Sequence, residues 1–108
     1  MKLIIAFIRP EALQDVKTKL YAQELYSLSV TNVLGAGQQK GYTEAYRGIQ
    51  TEVNLLKKIR LEIGVAEEKV EQAIKAITEG AHSGQAGDGV IFVLDVARTL
   101  RIRTGDPI

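Results

Sequence analysis

The chain has 108 residues, a formal net charge of +1, 45% apolar residues and 25% charged residues, which indicates one ordinary globular domain. The near-zero charge argues against a dedicated nucleic-acid-binding protein, which usually carries a large basic excess. There is no cysteine and one histidine, so disulfides and thiolate metal sites are excluded.

The apolar N-terminal run, residues 2–8, ends at Arg9-Pro10, far short of a membrane span, and no small-residue cleavage site follows it. We therefore expect a cytoplasmic protein without direct membrane insertion. The run itself predicts a central strand buried on both faces. Pro10 suits the first position of a helix because it has no N–H to lose, and helical apolar spacing predicts a helix over residues 11–23.

Two further strands flank a long polar segment. Residues 26–34 read as a half-buried strand that is closed by a glycine turn at residues 35–37. Residues 58–64 alternate cleanly between apolar and charged side chains, which predicts a strand with one exposed face. The polar run between them, residues 38–52, cannot bury itself, and a loop of this length is functional or disordered. We expect it to stand away from the body and to contact a partner.

The second half repeats this order of elements. A helix is predicted to begin at residues 66–69 and to stop at Gly80. A glycine-rich loop, residues 82–90, leads into a buried strand over residues 90–96. The tail alternates again, so that Arg101 and Arg103 share one strand face, and ordered structure is expected to end at residues 104–107.

The order of elements predicts an α+β protein with a ferredoxin-like double βαβ fold, in which both helices cover one face of a four-stranded antiparallel sheet. The last strand is apolar on both sides, so the opposite sheet face would expose an apolar patch, which usually marks an interface. We expect an oligomer that packs its sheet faces together.

No residue pattern indicates catalysis. His82 lies in a loop without a Ser or Cys nucleophile pattern, and acid–base chemistry needs a positioned partner. Asp88 and Asp95 are separated by most of a strand, which suggests no shared site. We therefore predict that the protein is not an enzyme.

Four features favour a nucleotide as ligand. The glycine-rich loop can direct consecutive backbone N–H groups at phosphate oxygens, although it matches no dinucleotide fingerprint and a plain turn remains an alternative. The turn at residues 35–37 is a second glycine segment. Arg101 and Arg103 form an anion clamp or simply a solvated edge. Glu62 shares a strand face with Lys58 and suits a ribose hydroxyl or a base amine.

The chain resembles the PII signal-transduction proteins, the trimeric regulators of nitrogen metabolism. The resemblance runs nearly end to end and rests on four motifs, which are Gly35-Ala36-Gly37-Gln38-Gln39-Lys40-Gly41, Tyr46-Arg47-Gly48, Gly84-Gln85-Ala86-Gly87-Asp88-Gly89-Val90-Ile91-Phe92-Val93 and Arg101-Ile102-Arg103-Thr104-Gly105. It implies a ferredoxin-like homotrimer built from one domain, residues 1–108. Residues 37–55 would form the projecting T-loop, residues 82–90 the B-loop and residues 97–108 a C-terminal segment.

The resemblance also implies three sites between neighbouring subunits, where ATP and ADP compete and Mg²⁺ accompanies ATP. One subunit would contribute the nucleotide-binding residues Gly35, Gly37, Gln38, Gln39, Gly87, Asp88, Gly89 and Val90. The neighbouring subunit would contribute Glu62, Arg101 and Arg103, and Ser29 would lie beside the base. In family members that sense 2-oxoglutarate, residues at the positions of Gln39, Gly41 and Lys58 hold that ligand, and Gln39 is the side chain expected near the Mg²⁺.

The T-loop of the family docks into membrane transporters and metabolic enzymes. Its expected contact residues in this chain are Tyr42, Tyr46, Arg47, Gly48 and Thr51. Thr51 stands where many bacterial members carry a tyrosine that is uridylylated, so that modification is not expected at this position.

Two further departures affect the predicted nucleotide site. Gln38 and Val90 stand where the family usually has an Arg and a Lys that reach the phosphates. Losing both cations removes charge-assisted hydrogen bonds, which predicts weaker ATP binding or a shift toward ADP or AMP and suggests a divergent paralogue.

Three functions stay open at this point. The first is a nucleotide-sensing regulator of nitrogen metabolism. The second is an adenylate sensor with little or no 2-oxoglutarate response that controls a bicarbonate or metal system. The third is a ligand-free interaction module. RNA binding on the sheet face is disfavoured because interleaved aromatic residues are missing from it.

Overall fold

The structure is a computed structural model that describes residues 1–36, 42–46, 49–53 and 55–108. These residues form two helices and six strands, with the bounds β1 Lys2–Ile8, α1 Leu13–Ala22, β2 Leu28–Ala36, β3 Tyr42–Tyr46, β4 Ile49–Val53, β5 Leu55–Val65, α2 Val70–Ala81 and β6 Gly89–Asp95. Neither helix in this part of the chain is long and apolar enough to cross a bilayer.

Four of the strands make one antiparallel sheet in the order β2-β5-β1-β6. The chain thus follows the order strand, helix, strand and again strand, helix, strand, which confirms the predicted ferredoxin-like α+β fold. The remaining strands, β3 and β4, pair with each other in a separate two-stranded ladder between β2 and β5.

Both helices begin with a short 3₁₀ turn, Pro10–Ala12 before α1 and Glu67–Lys69 before α2. Pro10 occupies the first position of its turn, as the sequence predicts. Arg9 is held in an extended conformation (φ −67°, ψ 145°), because a following proline disfavours helical backbone angles. The strand therefore ends at Ile8 and the chain turns sharply into the helix.

Gly80 does not end the second helix, so that prediction is wrong. The helix continues through Gly80 to Ala81. A Cβ atom at position 80 would lie 2.7 Å from Val16 Cα and 2.8 Å from Val16 N. Glycine is therefore needed there because the backbone of α2 touches the backbone of α1.

The two helices cover one face of the sheet, which we call the helix face. On β5 the predicted alternation is confirmed, since Ile59, Leu61 and Ile63 are buried on this face. The rest of the core comes from β1, the last residue of β5, both helices and the segment after α1, namely Ile4, Ala6, Ile8, Val16, Leu20, Leu25, Val65, Ala73, Ala76 and Ile77. Continuous burial of this kind is the main source of stability in a small domain.

The opposite side of the sheet, which we call the open face, has no covering layer in the single chain. Strand alternation places six apolar side chains of β1 and β6 on it, which are Leu3, Ile5, Phe7, Val90, Phe92 and Leu94. Those of β6 are 42–49% exposed. The prediction that β1 is central is confirmed, but burial on both its faces is wrong for an isolated chain, because both helices pack on one side. The prediction that β6 is a buried strand is also wrong for an isolated chain, because β6 lies at the sheet edge. The predicted apolar patch is present.

The segment between β2 and β5 departs from the expected loop in two ways. Gly35 and Ala36 do not turn but extend β2, pairing with Leu56 and Leu55, while Gly37 lies outside the described residues. Part of the polar run forms the β3–β4 ladder, in which Tyr42 pairs with Val53 and Tyr46 with Ile49. Strand pairing here satisfies backbone groups that a polar loop would leave to water.

The overall dimensions exceed those of a compact chain. The radius of gyration is 17.0 Å and the longest axis is 60 Å, whereas a compact chain of this length has a radius of gyration of about 13 Å. We call residues 37–55 the arm from here on.

The tail is ordered further than predicted, and it is not a strand. Leu100 pairs with Pro107 in an isolated bridge, and residues 102–104 form a turn. The Arg101 N–H donates to the Asp106 carbonyl at 2.8 Å, and the Gly105 N–H donates to the Arg101 carbonyl at 2.7 Å. The glycine, at φ 74°, lets the chain fold back on itself.

Candidate functional site

The glycine loop, residues 82–90, connects the end of α2 to the start of β6. Gly84 and Gly87 adopt positive φ angles of 84° and 94°, and Gly89 has φ 119°. A Cβ at position 89 would lie 1.8 Å from the Phe7 carbonyl oxygen. The glycines are therefore required by the backbone path, which presses the loop against the end of β1.

Asp88 organises this loop from within. Its carboxylate accepts hydrogen bonds from the Ser83 hydroxyl, from the Ser83 N–H at 2.8 Å and from the Gly84 N–H at 2.9 Å. The Ser83 hydroxyl and the two N–H groups, with the nearby Arg9 guanidinium, lower the pKa of Asp88 to about 2. The side chain is 23% exposed, so Asp88 acts first as the internal brace of the loop.

Two cations hold the loop against the sheet. The Lys58 ammonium donates to the Gly87 carbonyl at 3.0 Å. The Arg9 guanidinium donates through Nη2 to the Ala86 carbonyl. Its Nε lies 3.5 Å from Asp88 Oδ1, an ion-pair distance without hydrogen-bond geometry. The loop is therefore tied to the ends of β1 and β5 at two consecutive carbonyls.

Arg9 is a site residue that the sequence interpretation missed. The sequence does mark Arg9, because it is a basic residue directly between an apolar strand and a proline. The pattern alone cannot show that the strand ends beside a loop that lies 77 positions further along the chain.

Several predicted nucleotide residues meet at this end of the sheet. Lys58 contacts the loop and also lies beside β2, where a Cβ on Gly35 would be 3.4 Å from Lys58 Cγ. Gly87, Asp88, Gly89 and Val90 belong to the loop and the first residues of β6. A cleft of ≈ 400 Å³ opens beside Lys58, lined by Pro10, Asn32, Val33, Leu34, Lys57 and Lys58, a volume within the range of small-ligand sites.

Ser29 and Glu62 form a second group of predicted residues on the open face. They are direct partners in the β2–β5 ladder. The Arg60 Nε donates to Glu62 Oε1 at 2.9 Å, and the Arg60 guanidinium lies over the Phe7 ring at 5.7 Å from its centroid. Neither Arg60 nor Phe7 was predicted as part of a site.

Arg101 and Arg103 lie in neither group. The tail that carries them follows Asp95, which pairs with Lys2 at the sheet end opposite the glycine loop. It packs around Met1 there, since the first residues of the tail and residue 1 line one cleft. β6 spans roughly 20 Å between the two ends. Both arginines are exposed and lie in or beside the tail's turn, so the predicted placement on one strand face is wrong. Their predicted role in binding an anion stays a prediction.

Six predicted residues lie outside the described part of the chain, namely Gly37, Gln38, Gln39, Gly41, Arg47 and Gly48. Tyr42, Tyr46 and Thr51 have backbone positions in β3 and β4, where Thr51 pairs with Glu44. The predicted roles of these residues therefore stay predictions.

The arrangement around His82 does not resemble a catalytic triad. His82 Nδ1 lies 3.8 Å from Asp88 Oδ2, and the His82 side chain is 69% exposed. The Ser83 hydroxyl donates to Asp88 rather than to the histidine, whereas a triad needs the histidine between the two. Asp95 lies at the other end of β6 and is paired with Lys2.

Comparisons with known proteins agree with one another. The family model described as nitrogen regulatory protein P-II matches residues 1–106. A nitrogen regulatory protein P-II of Pasteurella multocida is 49% identical over 106 residues, covering 98% of this chain and 95% of the relative. A nitrogen regulatory protein P-II 1 of Methanothermobacter thermautotrophicus is 47% identical, with 98% and 92% covered.

A nitrogen regulatory protein GlnK of Escherichia coli K12 is 40% identical over 106 residues, which covers 98% of this chain and 95% of the relative. Each of these matches covers 106 of the 108 residues. The chain belongs to the nitrogen regulatory protein P-II family.

Proposed function

We propose that this protein is a trimeric signal-transduction regulator, not an enzyme, that binds adenine nucleotides between its subunits and controls a partner through the arm. The observation that carries the proposal is the hydrogen bond from Lys58 to the Gly87 carbonyl. It connects β5, the strand that leads out of the arm, to the glycine loop, so a ligand at the loop changes the anchoring of the arm.

Trimer formation is supported by the open face. Its apolar side chains on β6, among them Phe92 at 49% exposed and Leu94 at 42% exposed, form a continuous row with those of β1. Covering such a row with the same face of other copies removes apolar surface from water.

A site between subunits is supported by the distribution of the predicted residues. The predicted residues of the glycine loop, Gly87 to Val90, lie at one end of the sheet. The tail with Arg101 and Arg103 lies at the other end. One chain does not bring them together, whereas a neighbouring copy supplies the missing cations. In this proposal the glycine loop receives the phosphates, the neighbour's arginines neutralise them, and Glu62 and Ser29 contact the base.

The regulated process is proposed to be nitrogen metabolism, in the cytoplasm, because the relatives carry that function in their names. The partner would be a membrane transporter or a metabolic enzyme. With Mg²⁺-ATP bound, Gln39 and Lys58 would also hold 2-oxoglutarate, and the three N–H donors of the Lys58 ammonium would allow it to contact both this ligand and the Gly87 carbonyl. Lys58 would thus respond to both ligands, and binding of either one would shift the conformation of the arm.

Titration calorimetry with ATP, ADP and AMP, each with and without Mg²⁺ and 2-oxoglutarate, tests the ligand. Binding of ATP that tightens with 2-oxoglutarate is the expected result. Binding of nucleotide with no effect of 2-oxoglutarate would instead favour an adenylate sensor that controls a bicarbonate or metal system, for which Val90 in place of a cation is the supporting observation. No binding of any nucleotide would leave a ligand-free interaction module.

Coupling to the arm is tested with two lysine variants. Lys58→Met removes the contact with Gly87, while Lys75→Met removes an equal charge from an exposed position of α2. Nucleotide should change the hydrogen exchange of residues 42–53 in the wild type and in Lys75→Met, and much less in Lys58→Met. Equal exchange with and without nucleotide in the wild type would refute the coupling.

A further inference from the structure

Arg60 is held on two sides of its guanidinium group. Nε donates to Glu62 Oε1 at 2.9 Å, and the guanidinium carbon lies 5.7 Å from the centre of the Phe7 ring. That ring is itself fixed by Phe92 in an edge-to-face contact, with the ring centres 6.4 Å apart and an interplanar angle of 87°. Arg60 thus has less freedom than an ordinary surface arginine.

This arrangement also restricts the Glu62 carboxylate. Exposed ion pairs usually contribute little because both side chains stay mobile. Here the two side chains are 38% and 37% exposed, and the arginine is stacked on an aromatic face, which strengthens and orients the contact. Among the described residues no donor reaches Glu62 Oε2, so that this oxygen keeps its acceptor capacity.

Glu62 lies beside a residue that carries a hydroxyl group. Ser29 is the direct partner of Glu62 in the β2–β5 ladder, and Cβ atoms of such partners are about 4.5–5.5 Å apart. A carboxylate can accept and a serine hydroxyl can donate or accept. This pair matches the edge of adenine, where an exocyclic amine donor adjoins a ring-nitrogen acceptor. Hypoxanthine presents a carbonyl oxygen in place of the amine, which a carboxylate repels.

We propose that Arg60 is a positioning residue that fixes the Glu62 carboxylate so that Oε2 accepts the hydrogen bond from the exocyclic amine of adenine. Arg60 thereby sets base selectivity without touching the nucleotide. This inference rests on the proposed nucleotide site and adds to it the residue that decides which base is accepted.

The test compares ATP with inosine triphosphate, which has the same ribose and phosphates but hypoxanthine as its base. Calorimetry gives the ratio of the two dissociation constants for the wild type, Arg60→Met and Glu62→Gln. The wild type should prefer ATP about tenfold or more, since a polar group left without its partner is disfavoured by at least that factor. Arg60→Met should lower the ratio nearly as far as Glu62→Gln does.

Two further variants separate positioning from general effects. Lys75→Met removes a positive charge from an exposed position of α2, away from both groups of predicted site residues, and should keep the wild-type ratio. Phe7→Leu keeps the apolar character of the position but removes the ring under the guanidinium, and should lower the ratio by about two- to fivefold. It also provides a test if Arg60→Met fails to fold.

The outcomes distinguish this inference from the proposed function. If the wild type binds neither nucleotide, the proposed site is wrong and the inference falls with it. If ATP binds but Arg60→Met and Phe7→Leu both keep the wild-type ratio, the inference alone is overturned. The same holds if Arg60→Met changes the ratio only together with the mass of the assembly, as light scattering would show, because the arginine would then act through the interface.

Discussion

The two faces of the sheet are built from similar apolar side chains but differ in how they are covered. On the helix face Ile4 and Leu61 are 0% and 1% exposed, while on the open face Phe92 and Leu94 are 49% and 42% exposed. The chain supplies a covering layer for the first face and none for the second. Folding of one chain therefore buries the apolar side chains of the helix face. Burial of those on the open face requires contact with another molecule or a ligand.

The polar and charged side chains are also distributed unequally between the two faces. The helix face holds no polar core residue among the described positions, whereas the open face carries Lys58, Arg60 and Glu62 next to the apolar row. A surface that combines apolar and charged side chains is suited to an interface between subunits in which a ligand also binds. Substitutions on the two faces should therefore have different consequences.

Leu61→Ala should lower the free energy of unfolding by about 2–5 kcal/mol, because it removes a fully buried side chain and leaves a cavity. Urea denaturation followed by circular dichroism measures the loss. The loss should appear at every protein concentration, since α1 and α2 cover this side chain within one chain. A loss below about 1 kcal/mol, as for an average substitution, would contradict the described core.

Gly80→Ala should lower the free energy of unfolding by about 1–3 kcal/mol, because the added methyl would push Val16 and α1 away. Gly64→Ala is the matched control on the open-face side of β5. Its added methyl would meet nothing closer than the Met1 sulfur at 3.8 Å, so the change should stay within about 0.5 kcal/mol. Equal effects of the two variants would mean that the helices do not touch at position 80.

Phe92→Ser should weaken association of the protein more than it weakens the fold of one chain. Val93→Ser is the matched control, since Val93 is the next residue and is similarly exposed (43% against 49%) but points to the helix face. Light scattering should show a lower mass for Phe92→Ser and an unchanged mass for Val93→Ser. The same mass for both variants and the wild type would remove the open face as the interface.

Acidification should release the glycine loop before the core. The pKa of Asp88 is lowered from 3.8 to about 2 in the fold, so the unfolded state binds more protons between these values and loop stability falls with pH there. The bracing is complete above about pH 4 and is lost as the pH falls through about 2. The amide NMR signals of Ser83 and Gly84 should follow this titration.

Asp88→Asn provides the control for the acid response. The side-chain amide of asparagine is uncharged and does not titrate, so the signals of Ser83 and Gly84 should no longer move between pH 4 and 2. If they moved as in the wild type, another group would be responsible for the transition.

Local pattern predicted much of the fold because each element obeys a simple rule. Period-two alternation identified β5 and its buried side, and Pro10 marked the start of the first helix. The pattern failed at Gly80 and at the tail. A glycine can end a helix or allow another backbone to approach, and the choice depends on where Val16 lies. The tail alternates in sequence, but its own hydrogen bonds fold it into a turn.

Prediction of the site residues from the sequence was limited in the same way. Glycine content located the loop and charge identified Lys58 and Glu62, but pattern did not reveal Arg9 and Arg60. Arg9 contacts the Ala86 carbonyl, 77 positions away, and Arg60 stacks on Phe7 of a neighbouring strand, so these partners meet only when the sheet forms. The other partner of Arg60, Glu62, lies two residues along the same strand, and the alternation of β5 alone did not identify their contact. A side chain's role as a brace depends on what it touches, and one-dimensional spacing does not contain that information.

The sequence by itself determined the order of strands and helices, the helix-facing residues and the presence of an apolar patch, because these follow from periodicity within each segment. The tertiary structure decided which strands lie at the edges, which glycines are required by close contacts and which cations hold the loop. These depend on distances between segments far apart in the chain, and such distances are set when the helices close over one side of the sheet and leave the other open.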